Sequence, residues 1–325
     1  MVDDDDDKAM LQRPSLADAP DAVRAAVSEI LGSPILAERA APAGFTRSIA
    51  SVVIGGSGAR MFVKAAPVGD GLGEAVEAGA VLTEAVGEIA PRLVGFAAVD
   101  DWRVTAHEVV DGETVTWWNS ADQPELFRVL QRMREVMDPC PVIGTSAYAE
   151  AFMPLLGTWQ ALSRSADHDV DAPIRVDHLR GLSLPADVPV AVLAELESRW
   201  PHALAADTAL HHGDLRRDNV IRQPDGQLRI VDWTHLWTAP GWLDLVRLIP
   251  DLALCGQNPE DILRRSPWTD APADHVNVAL AGLAGRAWRE GLLPDVPGLP
   301  GLRRMQRQQG LHILRWLESR MSARR

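Results

Sequence analysis

The run His211-His212-Gly213-Asp214-Leu215-Arg216-Arg217-Asp218-Asn219-Val220, continued by Leu228-Arg229-Ile230-Val231-Asp232-Trp233, constrains this chain more than any other segment. Gln223-Pro224-Asp225-Gly226-Gln227 is a turn signal joining two short apolar strands, Asn219 to Arg222 and Leu228 to Val231. Such a hairpin brings Asn219 and Asp232 back towards each other. One amide oxygen and one carboxylate can then share a hard divalent cation, which takes oxygen ligands and needs only one or two side chains beside phosphates and water. Asp214, on the polar loop before Asn219, stays available to accept a proton. An ordinary surface hairpin after a Gly-Asp turn would leave these spacings unexplained.

The segments on either side read as two different kinds of structure. Ala22 to Leu31 has Val23, Ala26, Val27 and Ile30 at helical spacing. Ala50 to Ile54, the turn Gly55-Gly56-Ser57-Gly58, and Arg60 to Lys64 form a hairpin signal. Glu74 to Ile89 reads as a helix ended by Pro91, and Leu93 to Ala98 and Trp102 to Val110 as two further strands. After Asp111-Gly112 the patterns turn helical: Gln123 to Val136, Tyr148 to Ala166, Val188 to Trp200, Trp242 to Leu254, Pro259 to Arg265, Ala273 to Gly291 and Leu302 to Met321. The expected fold class is therefore α+β and two-lobed, with a small β-rich N-terminal lobe over 11–107, a linker at 108–112 and a larger, mainly helical lobe over 113–325. Met1 to Met10, with its Asp run and Lys8, has the look of an appended leader outside the fold.

The pattern His212-x-Asp214-(x)4-Asn219 with a later Asp232 resembles the catalytic and metal-binding loops of the protein-kinase-like superfamily. His-Gly-Asp-Leu and Val-Asp-Trp, in place of His-Arg-Asp and Asp-Phe-Gly, point to its aminoglycoside phosphotransferase and choline kinase branch. The resemblance implies phosphoryl transfer, in which positioning and charge neutralisation matter more than covalent chemistry. Under it, Asp214 accepts a hydrogen bond from the acceptor hydroxyl, and Asn219 and Asp232 are the Mg2+ ligands. Arg216 faces the transferring phosphate. Lys64 pairs with the donor's α- and β-phosphates and takes an ion-pair partner from the following helix, Glu74, Glu77 or Glu84, with Glu77 fitting best and Glu74 next. Gly44-Phe45-Thr46-Arg47-Ser48 covers the phosphates, Thr46 and Ser48 being the possible donors. Backbone groups around Glu108 and Val110 meet the purine edge of ATP or GTP. His212 props the loop, and Asp244 braces it; a helix-start carboxylate would sit in almost the same place.

The implied reaction is Mg-dependent transfer of a γ-phosphate to a hydroxyl of a small molecule, with an antibiotic as the favoured acceptor. A metabolic sugar or amino-alcohol kinase of the same fold is the first alternative, and a non-catalytic nucleotide-binding relic the second. Trp117, Trp118, Trp159 and Trp237 are candidate stacking faces for the acceptor, although tryptophan in helical patterns is usually core. Asp167, Asp169, Asp171, Glu290 and Asp295 are candidates for meeting an ammonium-rich one.

Charge and cysteines narrow the rest. Without the five Asp and one Lys of the leader the formal charge moves from −13 to −9. An acidic body argues against nucleic acid or an anionic membrane as partner, since both reward clustered Lys and Arg. Cys140 and Cys255 are too few and too isolated for a disulfide framework or a zinc site. No G-x-x-x-x-G-K-[ST] run is present, which excludes a P-loop. No signal-like or membrane-length apolar run is present either, so the expected location is cytoplasmic.

Overall fold

A computed structural model describes residues 14–41, 47–164, 174–206, 208–297, 299 and 301–323. The chain divides into two compact units. The first runs to Thr116 and takes back Pro141–Ile143 and Asp218–Leu236; the second holds Trp117–Cys140, Gly144–Arg217 and Trp237–Arg325. The sequence expectation differs: it placed the boundary at 108–112 and everything beyond in the helical part.

In the first unit, α1 (Asp21–Leu31) is followed by β1 (Ile35–Ala40), β2 (Ile49–Gly55), β3 (Arg60–Pro67), α2 (Leu72–Val86), β4 (Leu93–Val99) and β5 (Trp102–His107). The strands form one antiparallel sheet in the order β1-β2-β3-β5-β4. Alternation along β3 sends Met61, Val63 and Ala65 into a core with Val23, Val27 and Leu31 of α1. The side chains between them, Phe62 and Lys64, therefore face the other way, where α2 lies against β3 and β5.

A short strand β6 (Glu113–Thr114) then pairs with β9 (Val220–Arg222), which pairs with β10 (Leu228–Ile230). That pairing ties the late hairpin to the early chain. Arg229 donates to the Glu88 carbonyl, a further tie inside the same unit.

The second unit contains α3 (Gln123–Met137), β7 (Ser146–Ala147), α4 (Tyr148–Phe152), α5 (Thr158–Ser163), α6 (Val190–Ser198), α7 (Trp200–Ala203), β8 (Ala209–His211), β11 (Trp237–Ala239), α8 (Leu243–Leu254), α9 (Pro259–Arg265), α10 (Ala273–Gly291) and α11 (Leu302–Ser322). Its small sheet runs β7-β11-β8, and α10 packs along α11. The helix expected from Tyr148 to Ala166 is broken into α4 and α5. Pro154 removes a backbone donor, Gly157 turns left-handed at φ +107, and the buried Glu197 carboxylate accepts the N–H groups of Trp159 and Gln160 at the start of α5. No helix among the described residues is long and apolar enough to cross a membrane.

Candidate active site

In the first unit the β9–β10 ladder extends one step further, Val231 N–H donating to the Asn219 carbonyl at 2.9 Å. Asn219 and Asp232 thus emerge from the same end of the hairpin. Asp232 has φ +66, a left-handed conformation that non-glycine residues adopt at a cost of about 1–3 kcal/mol. Lys64 of β3 forms an ion pair with Asp232. Beyond it, Trp233 Nε1 donates to the Ile230 carbonyl, and the Trp233 carbonyl presses on α2 at Gly79, where a Cβ would lie 2.8 Å from that oxygen. Only a glycine lets the helix come so close.

That packing corrects the expected partner of Lys64. Glu77 Oε2 accepts instead from Arg103 Nε at 3.0 Å, while Glu74 accepts from the Gly69 N–H. The buried residues of α2 are Gly73, Val76, Ala78, Gly79, Ala80, Leu82, Thr83 and Val86, without an acid among them. Lys64 finds its carboxylate on the hairpin. Glu77→Gln is accordingly expected to change the KM for nucleotide by less than about twofold; a rise of tenfold or more in steady-state kinetics would restore Glu77 to the donor site.

His107 ends β5 on the same side as Lys64 and lies 3.3 Å from the Thr83 hydroxyl through Nε2. The Thr83 hydroxyl donates to the Gly79 carbonyl at 2.8 Å, so the histidine is the donor between them. Burial, with the charge of Lys64 adding, pushes the His107 imidazole down to about 4 and keeps it neutral near pH 7. Next to it, the Glu108 N–H donates to the Arg92 carbonyl, so the Glu108 amide is committed to the sheet edge. Val110 follows, outside any helix or strand. Ser48 is buried just before β2, and Thr46 lies outside the described residues.

The donor set at the hairpin suits a hard cation. It offers one carboxylate and one amide oxygen, with no thiolate or imidazole that would favour a softer metal. Among the described residues no cluster of three or more His, Cys, Asp or Glu side chains forms a self-sufficient cage. Mg2+ shared with phosphates needs none.

The second unit holds the loop that carries Asp214. Asp244, at the start of α8 and 2 % exposed, accepts from the backbone N–H groups of His212 and Gly213 and meets His211 Nδ1 at 3.0 Å. Burial alone would raise its carboxyl; the two histidines and the backbone donors outweigh burial and hold it down at about 2. His212 Nδ1 accepts the Asp214 N–H at 3.2 Å, the propping role expected of it. Asp251 accepts the Arg217 N–H at 2.9 Å. Gly213, at φ +78, lets the loop pass Trp237, whose ring atom Cε3 would lie 2.7 Å from a Cβ there.

Asp214 itself is half-buried, with Oδ1 at 3.2 Å from Arg216 Nη1 and 3.4 Å from Arg247 Nη2. Arg247 was not anticipated. On α8 it looks like any helical arginine, and only its position three residues after Asp244 hints that it faces the same loop. Of the tryptophans considered for stacking, Trp118 and Trp159 are core residues, while Trp117 is 52 % exposed. Asp167, Asp169 and Asp171 lie outside the described residues.

A model of the phosphotransferase enzyme family matches residues 39–292. No curated protein sequence matches. Among solved structures the chain is similar to choline kinase LicA from Streptococcus pneumoniae, with TM-score 0.54 and 13% identity over 90% of this chain and 97% of that one. It is also similar to the AMP-bound spectinomycin phosphotransferase APH(9)-Ia, with TM-score 0.55 and 12% identity over 93% and 98%. A third similar structure is a thermostable mutant of aminoglycoside phosphotransferase APH(4)-Ia in ternary complex with ADP and hygromycin B, with TM-score 0.56 and 13% identity over 90% and 98%. At these identities the likeness is one of fold.

Proposed function

The chain belongs to the phosphotransferase enzyme family and is a small-molecule kinase; from that premise we propose that it transfers the γ-phosphate of ATP or GTP, with Mg2+, to a hydroxyl of an antibiotic. The observation that carries the donor half of this reading is the Lys64–Asp232 ion pair. A strand lysine and a hairpin-end carboxylate, 168 residues apart in sequence, face each other. Both charges are what a metal-bound polyphosphate needs: a cation for its oxygens and an anion for its metal.

In this reading Asn219 and Asp232 would hold the Mg2+, which would supply neutralisation of the donor's phosphate charge. Lys64 turns from Asp232 to the α- and β-phosphates when donor binds. The Glu108 carbonyl and the backbone at Val110 meet the purine, and Ser48 and Thr46 donate to phosphate oxygens. Asp214 accepts the hydrogen bond of the acceptor hydroxyl and aims its oxygen at phosphorus. The base can be weak because the transition state is loose and the proton leaves late. Arg216, beside Asp214, is placed by the proposal against the transferring phosphate, where a guanidinium spreads charge as it develops.

The antibiotic reading draws support from the neighbours that bind or act on hygromycin B and spectinomycin. The choline kinase neighbour supports the metabolic alternative. Transfer of labelled γ-phosphate from ATP or GTP to a panel of antibiotics, amino alcohols and sugars separates them. Acceptor-dependent labelling with an antibiotic is the expected result. Labelling confined to a sugar or amino alcohol would select the metabolic reading, and Mg-nucleotide binding without any transfer would point to a relic.

A further inference from the structure

Resting on the kinase reading, we propose that Gly79 is a positioning residue for the metal site: its bare Cα, in the middle of α2, sets where the Trp233 carbonyl and hence the Asp232 carboxylate come to rest. A glycine in mid-helix needs a reason. Alanine is the better helix former, and Ala78 and Ala80 stand on either side. Backbone freedom is not that reason, because Gly79 has an ordinary helical φ and not a left-handed one. What the position demands is room. A Cβ there would fall 2.8 Å from the Trp233 oxygen, about 0.6 Å inside ordinary contact.

Both sides of this contact are held. On the helix side, the Gly79 carbonyl accepts the Thr83 hydroxyl at 2.8 Å, and that hydroxyl accepts from His107 Nε2 at 3.3 Å. Thr83 and His107 are both buried, so the turn of α2 around Gly79 is tied to the end of β5. On the hairpin side, Trp233 is 3 % exposed and its Nε1 donates to the Ile230 carbonyl at 2.9 Å. Between that pinned ring and β10 lies Asp232, at φ +66. A left-handed non-glycine residue persists where its surroundings over-determine it. The helix contact at the next residue supplies part of that constraint, and Lys64 meets the same carboxylate from β3. All of these residues belong to the first unit.

A metal ligand has to be held to within about 0.5 Å of its working position. A methyl group at Gly79 would push the Trp233 carbonyl by a comparable distance, with the ring unable to follow. The metal's share of nucleotide binding should then suffer, and the nucleotide's own share should not. Calorimetric titration of the full chain with ADP, once with excess Mg2+ and once with EDTA, separates the two. For the unaltered chain Mg2+ is expected to tighten ADP at least about tenfold. In Gly79→Ala that gain should fall about tenfold, the scale on which metal affinity drops when a residue supporting a ligand is lost, with the Kd for ADP in EDTA within about twofold of the original. A purely structural role would weaken both titrations alike.

Trp233→Phe keeps a buried ring and removes the donor to Ile230, and should cut the same gain about threefold. The inference is overturned if Gly79→Ala keeps the full Mg2+ gain, or if it weakens ADP equally with and without metal. If the glycine variant does not fold, an unchanged gain in Trp233→Phe overturns it by itself. ADP binding to the unaltered chain without any Mg2+ gain also removes the inference and leaves nucleotide binding standing. The kinase reading fails separately, if the unaltered chain binds ADP under neither condition.

Discussion

Replacing Asp214 by Asn is expected to lower kcat about a thousandfold, the scale of a lost general base, with the KM for nucleotide and the melting temperature close to those of the unaltered chain. The substitution keeps the volume of a half-buried side chain and removes the charge that, in the proposed reading, aligns the acceptor. It also sets an amide, with its own donors, against the Arg216 and Arg247 guanidiniums that now share Oδ1. The loop should nevertheless hold its shape, because Asp244, Asp251 and His212 hold its backbone. Steady-state kinetics with a thermal melt read both halves of the expectation. Activity within about tenfold of the original would remove Asp214 from the chemistry.

Asp244→Asn should act the other way, through the fold. It discharges a buried carboxylate that faces His211 and two backbone N–H groups, and breaking such a pair from one side costs about 3 kcal/mol or more. The pH dependence follows from the carboxyl held at about 2 against an ordinary 3.8. A depressed carboxylate stabilises the folded state fully above its ordinary value, and that contribution is lost as pH falls towards and through about 2. It amounts to about 2 kcal/mol. Urea unfolding at pH 7 should therefore separate the two proteins by several kcal/mol, and the gap should narrow between roughly pH 4 and pH 2. A gap that is constant across that window would assign the effect of Asp244 to shape and not to charge.

What could be read from the sequence was whatever is local in the chain. The turn Gly55-Gly56-Ser57-Gly58 appears between β2 and β3, and the turn after Arg222 between β9 and β10. The bracing of the loop by Asp244 was legible only through the family resemblance, since a plain helix-start carboxylate would sit in almost the same place. What could not be read depends on which face of one element meets which face of another. Glu77 fits a lysine partner by position, yet the turn of α2 presents Gly79 and Ala80 inward and leaves Glu77 to Arg103. Tyr148 and Arg247 are 99 residues apart, and neither carries a motif. Strands as short as Glu113–Thr114 and Ser146–Ala147 are fixed by their partners and not by propensity.

The strand-rich unit is not a continuous stretch of polypeptide. It stays unfinished until Asp218–Leu236 arrives, bringing Asp232 to Lys64, the Trp233 carbonyl to Gly79 and β9 to β6. On the ribosome, this portion cannot mature before the intervening hundred or so residues have been made, contrary to the usual order in which amino-terminal domains fold first. A fragment ending at Thr116 would keep its lysine and lose the carboxylate that answers it, along with the cover on the inner surface of α2.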